Sequence, residues 1–501
     1  MSELLRKGRL TSVRKDVVEF TSSAEYDRKI LKHVVSINKA HVVMLVETEI
    51  VSSDDGAKIL GALVSLDRRL ELSAEVEDAH MAVEEEVIRA TGDAVGGNLN
   101  LAKSRNDQVA TAIRMNLRQE ILELAEVILL LEEVLIQKAE DDPGKIIVAY
   151  THLQPAQPVT FAHYLLAQCD VLRRDLQRLR EAYGRVDLCP MGAGALATTS
   201  FSISRELVAD LLGFAGVLEN SLDAVGSRDF VLEVLAALSV LAVDVTRLVE
   251  DLVVWSTSEF GTVKLPDGFA FTSSIMPQKK NPDVLEVIRS RMSMIIGGFV
   301  ASATVLKSLP STYNMDFQEV TPKLWEAFET ARSCLAMFSK LVPDLEVGST
   351  FPAKPALTFI TSTELANMLV RNHKVPFRTA HRIVGAVVKK LLEEDRSLND
   401  LTPELLAQVS KEILESPLNV EAKEVQSAVD PSSFIESHKV RGGPSEREVG
   451  RMLILRREWL DVDRAWFSQR SEKLKEAEKS LDSRVESLMS VDQQASSNRK
   501  V

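Results

Sequence analysis

The sequence predicts an all-α protein built around long helices that bury themselves against one another. Leu, Val, Ala, Glu and Arg dominate, while aromatic residues make up only 5% of the chain, a composition that favours helix packing over sheet. Long helix-favouring stretches recur at approximately 107–139, 159–185, 228–259, 283–306 and 322–341. Some are apolar nearly all round, as in Ile128-Leu129-Leu130-Leu131 and the run from Leu235 to Val243. A helix apolar on every side is buried on every side. One chain cannot easily cover so many, so association of copies through these helices into a homo-oligomer is expected.

The elements divide the chain in order. Residues 1–105 read as an N-terminal domain of short helices broken by polar segments such as Ser52-Ser53-Asp54-Asp55-Gly56. Residues 106–345 form the central bundle of long helices. Residues 346–460 form a C-terminal helical domain, entered through the Pro/Gly/Thr-rich connection Gly348–Pro355. The run from Glu446 to about Met489 reads as a charged, solvated terminal helix, so 461–501 is assigned to a terminal helix and a disordered tail beginning at Ser490.

Composition also excludes functions. A net charge of −13 over 501 residues argues against nonspecific nucleic-acid binding, which phosphate neutralisation drives. Cys169, Cys189 and Cys334 are too scattered for a disulfide framework or a CxxC metal site, and are expected to be thiols in a reducing, cytoplasmic compartment. Met1 to Phe20 contains no apolar h-region, so no signal peptide is read. The longest uncharged stretch, Met292 to Leu306, is too short to span a membrane and reads as a buried core helix.

The connections between the long helices hold the chemistry. Thr272-Ser273-Ser274-Ile275-Met276-Pro277-Gln278-Lys279-Lys280-Asn281-Pro282-Asp283 reads either as an ordinary surface loop before a helix or as a reactive segment. In the second reading Asn281 caps the helix, Pro282 enters its first turn, and the helix start with Lys279 and Lys280 makes a positive focus for a carboxylate. His152, in Thr151-His152-Leu153-Gln154-Pro155-Ala156-Gln157-Pro158, is either a turn histidine bonded to its own backbone or an acid–base group. Glu286 can orient that histidine or simply complement the helix N-terminus. In Ser104-Arg105-Asn106-Asp107-Gln108, capping explains the polar residues but leaves Arg105 free to clamp a carboxylate. Gly192-Ala193-Gly194 has no preceding strand and reads as a close approach of backbone to a neighbour or ligand, not a nucleotide site.

Taken together, these segments resemble the fumarase/aspartase superfamily and, within it, the argininosuccinate lyase family, from about Gly8 to Gly443. The resemblance is carried by the serine loop Thr272–Asn281, by SRNDQVAT from Ser104, THLQPAQP from Thr151, LPSTYN from Leu309 with Asp316-Phe317-Gln318-Glu319, and VPFRTAHRIVG from Val375. It implies a three-domain subunit whose long helices assemble into a tetrameric helical core, with active sites shared between subunits.

The implied reaction is a reversible, cofactor-free and metal-free elimination of argininosuccinate to arginine and fumarate. By resemblance Ser273 is the base, Lys279 and Asn281 hold the developing dianion, and His152, oriented by Glu286, is the proton donor or its positioning partner. Ser23, Asp27, Asn106, Thr151, Arg228, Tyr313 and Gln318 fall on substrate-contacting positions, with Ser104 and Arg105 as neighbours of the site. The chain departs from the family pattern at Thr272, where glycine is usual, at Ala102-Lys103 for Gly-Arg, at Val34, Ile37 and Asn38 for Asp, Gly and Ser, and at Thr321 for Lys. Other readings are a fumarate-releasing lyase with a different leaving amine and a non-catalytic, crystallin-like protein on the same scaffold.

Overall fold

The computed structural model describes residues 13–66, 72, 77–348 and 355–498. Part of the Met1–Phe20 segment, most of the Gly348–Pro355 connection and the last residues of the tail lie outside that range.

The principal helices are α1 (Leu31–Glu47), α2 (Ser53–Leu66), α3 (Ala79–Thr91), α4 (Arg105–Asp141), α5 (Phe161–Val186), α6 (Asp229–Trp255), α7 (Asp283–Leu306), α8 (Thr321–Leu341), α9 (Ser362–His373), α10 (Phe377–Glu393), α11 (Pro403–Leu414), α12 (Ala422–Val429) and α13 (Glu446–Asn498). The long helices expected at about 107–139, 159–185, 228–259, 283–306 and 322–341 are present as α4 to α8. The Ser52–Gly56 segment is a helix start instead of a break, with the Ser52 hydroxyl accepting the Asp55 N–H at 3.2 Å.

The bundle runs up and down, and side-chain contacts fix its two ends. At one end Tyr164 of α5 donates to Asp251 of α6 at 2.8 Å and packs on Trp255, while the Tyr150 ring packs at a tilt against Phe260. At the other end Arg185 of α5 pairs with Glu233 of α6, and the Arg114 guanidinium sits 3.8 Å from the Phe230 ring centre. Gly226 lets the chain after α7 return to this second end. A Cβ there would stand 2.9 Å from the Thr312 Cα, closer than packed atoms come.

The third unit has its own apolar core, drawn from Leu365, Leu369, Ile383, Val387, Leu398, Leu406 and Val425. The terminal helix α13 belongs instead to the main core. Val449, Met452, Leu460, Phe467, Leu481 and Val485 are buried, and Arg456–Asp170 at 2.5 Å and Arg173–Asp463 at 3.1 Å pin it to α5. This corrects the solvated-helix expectation. The apolar positions recur at helical spacing inside a charged composition, so one face docks while the other stays wet. The boundary expected at 460 falls inside this continuous helix, whose backbone extends to Asn498, past the start of the expected tail.

The Met292–Leu306 stretch also differs from expectation. In the single chain α7 buries only Leu285, Ile288, Met292, Ile295 and Ser302, and leaves Met294 73% and Val300 56% exposed.

Candidate active site

The bundle brings the candidate residues together in two groups, one at each end. At the end where α6 begins, a cavity of about 320 Å³ is lined by Ser23, Asp27, Arg105, Asn106, Tyr313 and Gln318, among others. They enter from three stretches of the chain, so the cavity exists only once the N-terminal domain, the start of α4 and the chain after α7 have packed.

Its acidic wall is interlocked. Asp27 Oδ2 accepts the Ser23 hydroxyl at 2.9 Å and the Ala79 N–H at 3.1 Å. Burial pushes its carboxyl up to about 6 against those two bonds. Arg105, expected as a clamp for a ligand carboxylate, instead holds two carboxylates of its own chain, Glu77 at 3.0 Å and Asp78 at 2.9 Å. Asn106 donates to the Ala195 carbonyl at 3.1 Å. Arg228 is buried behind the cavity, its guanidinium 4.3 Å from the ring centre of the cavity residue Phe317. One of its nitrogens donates to the Ser227 and Val225 carbonyls, while Nε and Nη2 have no partner. Burial lowers its pKa to about 10.

Ser104 acts as a cap, as its sequence context allows. Its hydroxyl accepts the Asn106 N–H at 3.3 Å, and the Asp107 carboxylate in return accepts the Ser104 N–H at 3.0 Å. The same Asp107 carboxylate accepts the N–H groups of Gly192 at 3.1 Å and Gly194 at 2.9 Å. Both glycines have positive φ, 84° and 61°, which side chains adopt at a cost. The glycine loop is thus an anion nest filled by the protein's own carboxylate, a role sequence reading did not assign to Asp107. Two departures from the family pattern also meet here, for Lys103 donates from Nζ to the Asn38 side-chain oxygen.

The second group lies where α6 ends. Strands β1 (Ile146–Thr151) and β2 (Gln154–Thr160) form a hairpin whose two-residue turn is His152-Leu153. Both turn residues have positive φ, 55° and 58°, as a type I′ turn requires. His152 and Thr151 are exposed at its tip. Strands β3 (Phe271–Thr272) and β4 (Lys280–Asn281) form a second hairpin presenting the serine loop. Thr272 sits in extended backbone that suits a β-branched residue, so glycine is not required there.

This second hairpin corrects the capping expectation. Asn281 lies on β4, Pro282 occupies the N-cap position of α7 itself, and no side chain caps that helix. Its first turn carries Asp283 and Glu286, which offset the positive end of the helix. Lys280 is committed to Asp267 at 2.6 Å and to the Leu265 carbonyl at 2.5 Å. What faces Ser273 is local: its Oγ accepts the backbone N–H groups of Ile275 at 3.3 Å and Met276 at 3.2 Å. Donors aimed at the oxygen favour its deprotonated form, and Lys279 stands exposed on the same loop. Glu286 makes no hydrogen bond or ion pair with His152 within the chain. Among the described residues no group of three or more His, Cys, Asp or Glu side chains is arranged to hold a metal ion.

The chain matches the family described as Lyase over residues 12–297 and the family described as Argininosuccinate lyase C-terminal over residues 359–436. The first of these places it among the lyases of this helical fold. A solved EDDS lyase in complex with formate is 30% identical, with a TM-score of 0.86 and 93% of each chain covered. A class II fumarase from Schistosoma mansoni, 17% identical with a TM-score of 0.67 over 80% of this chain and 90% of its own, shares the fold. An argininosuccinate lyase of Methanothrix thermoacetophila is 41% identical over 97% of this chain and 98% of the relative. One from Methanocaldococcus jannaschii is 39% identical over 91% and 94%. The chain belongs to the argininosuccinate lyase family.

Proposed function

We propose that this chain catalyses the reversible elimination of argininosuccinate to arginine and fumarate in the cytoplasm, as a homotetramer whose active sites are shared between subunits. The observation that carries the reading is the separation of the two groups of residues. Arg228 stands at the start of α6 and the serine loop follows its end. A helix of 27 residues is about 40 Å long at 1.5 Å per residue. No single chain brings Ser273 to its own cavity, whereas chains packed antiparallel bring the loop of one to the cavity of another. The exposed apolar side chains of α6 and α7, among them Val243, Val287, Met294 and Val300, supply the surface for that packing.

In the assembled site Ser273 removes the proton beside a succinyl carboxylate, helped by the Ile275 and Met276 amides. The electron pair spreads into that carboxylate, where Lys279 and Asn281 stabilise the dianion. The C–N bond then breaks, and His152, oriented by Glu286 across the assembled site, supplies or positions the proton for the departing guanidine nitrogen. Thr151 binds a carboxylate. Ser23, Asp27, Asn106, Arg228, Tyr313 and Gln318 hold the rest of the substrate, with Ser104 and Arg105 keeping the cavity in shape.

The test supplies argininosuccinate, adenylosuccinate, malate, aspartate and EDDS to purified protein and follows fumarate absorbance. Release from argininosuccinate is expected. Release from EDDS alone would favour the second reading that the likeness to EDDS lyase raises, a different leaving amine. Release from none would overturn the catalytic reading.

A further inference from the structure

His80 lines the same cavity and has no role in the account above. It lies in the first turn of α3, two residues after the N-cap Asp78, and is only 6% exposed. No hydrogen bond of good geometry meets either ring nitrogen, and the one polar neighbour in reach, Gln108, can engage only one of them. Gln108 gives one of its two amide N–H groups to the Ser104 carbonyl at 3.3 Å and keeps the rest of its amide for one side of the ring. A buried polar ring with an unbonded nitrogen is costly unless something else meets it.

The charges around it say what that is. The cavity wall carries the carboxyls of Asp27, Glu77 and Asp78 against the single guanidinium of Arg105, with Tyr313 opposite and Lys103 behind. Such a wall favours a cationic group. The guanidine nitrogen of argininosuccinate forms the scissile bond and must lie at the Ser273 loop. The end left for the cavity is therefore the amino-acid end of the leaving group, with its α-ammonium.

We propose that His80 is a specificity-determining residue that accepts a hydrogen bond from the α-ammonium of the amino-acid leaving group, beside Asp27. Burial lowers the imidazole to about 4 despite the nearby Asp78, so the ring is neutral and keeps a free acceptor nitrogen near pH 7. The inference rests on the proposed reaction.

Its test uses His80→Ala and His80→Asn in the full-length protein, each checked by thermal melting and by oligomeric state. With argininosuccinate, KM is expected to rise about 10- to 100-fold in His80→Ala, the range for losing a hydrogen bond to a charged group, with kcat within about threefold. Inhibition by added arginine should weaken in parallel while inhibition by fumarate stays unchanged. His80→Asn, which restores an acceptor, should recover part of the loss. An unchanged KM would overturn the proposal, and so would parallel loss of kcat and of fumarate inhibition, the mark of a merely structural residue. If the unaltered protein releases no fumarate from argininosuccinate, the proposed reaction fails first, and with it the ammonium assignment.

Discussion

The two ends of the bundle solve opposite problems with similar residue types. At the cavity end the charged side chains are tied to one another: Arg105 to Glu77 and Asp78, Asp27 to Ser23, Asp107 to the glycine loop. At the loop end Ser273, Lys279, His152 and Glu286 sit on or beside hairpin tips, and no ion pair joins Lys279, His152 or Glu286 to another side chain within the described chain. In the proposed shared site, a pre-built receptor faces a set of reactive groups that gain partners when another chain arrives. Chemistry should therefore be sensitive at the loop end and stability at the cavity end.

The largest expected effect breaks the loop end. Ser273→Ala should lower turnover by roughly 10²–10⁴-fold, the range for a positioned base, with melting temperature and oligomeric state unchanged; near-normal turnover in a steady-state assay would remove Ser273 as the base. Next comes the cavity end. Asp107→Ala leaves the Ser104, Gly192 and Gly194 N–H groups without their acceptor, so a denaturant melt should show a loss of about 3–5 kcal/mol. A loss below about 1 kcal/mol would mean that the nest is not a keystone.

A smaller effect is read through pH. Asp27 titrates at about 6 in the folded chain against 3.8 ordinarily. Between those values the folded chain binds more protons than the unfolded one, so the Asp27 contribution is fully present below about pH 4 and is lost as pH rises through 6. Asp27→Asn should flatten this slope in urea melts between pH 4 and 7 by on the order of 2–3 kcal/mol. An unchanged slope would show that Asp27 titrates normally. The smallest effect lies back at the loop end, where Asp267→Ala removes the exposed partner of Lys280. No measurable change in stability is expected, because solvent screens such pairs.

The long helices were legible because their apolar positions repeat locally. The observed Asp283–Leu306 and Thr321–Leu341 match the expected bounds closely. The serine loop, the His152 turn and the Ser104 cap were legible as positions for the same reason. What the local pattern could not reveal were contacts between residues far apart in the chain. Asp107 reaches the glycine loop 85 residues on, and Arg105 is satisfied by Glu77 and Asp78, which arrive from before α3. His80 looked like any helix residue until the cavity formed around it. Pro282 at the N-cap was missed because the strand pairing of Asn281 with Phe271 depends on a hairpin too short to have a pattern. The buried face of α13 was hidden by its charged composition.

The central claim is that one site is made from opposite ends of different chains. The direct measurement mixes two inactive homo-oligomers after subunit exchange: Ser273→Ala, which spoils the loop, and Asn106→Ala/Gln318→Ala, which spoils the cavity. Hybrids contain sites joining an intact loop to an intact cavity, so fumarate release from argininosuccinate should return to a substantial fraction of the unaltered rate. Persistent inactivity despite exchange proven by mass spectrometry would contradict the shared site.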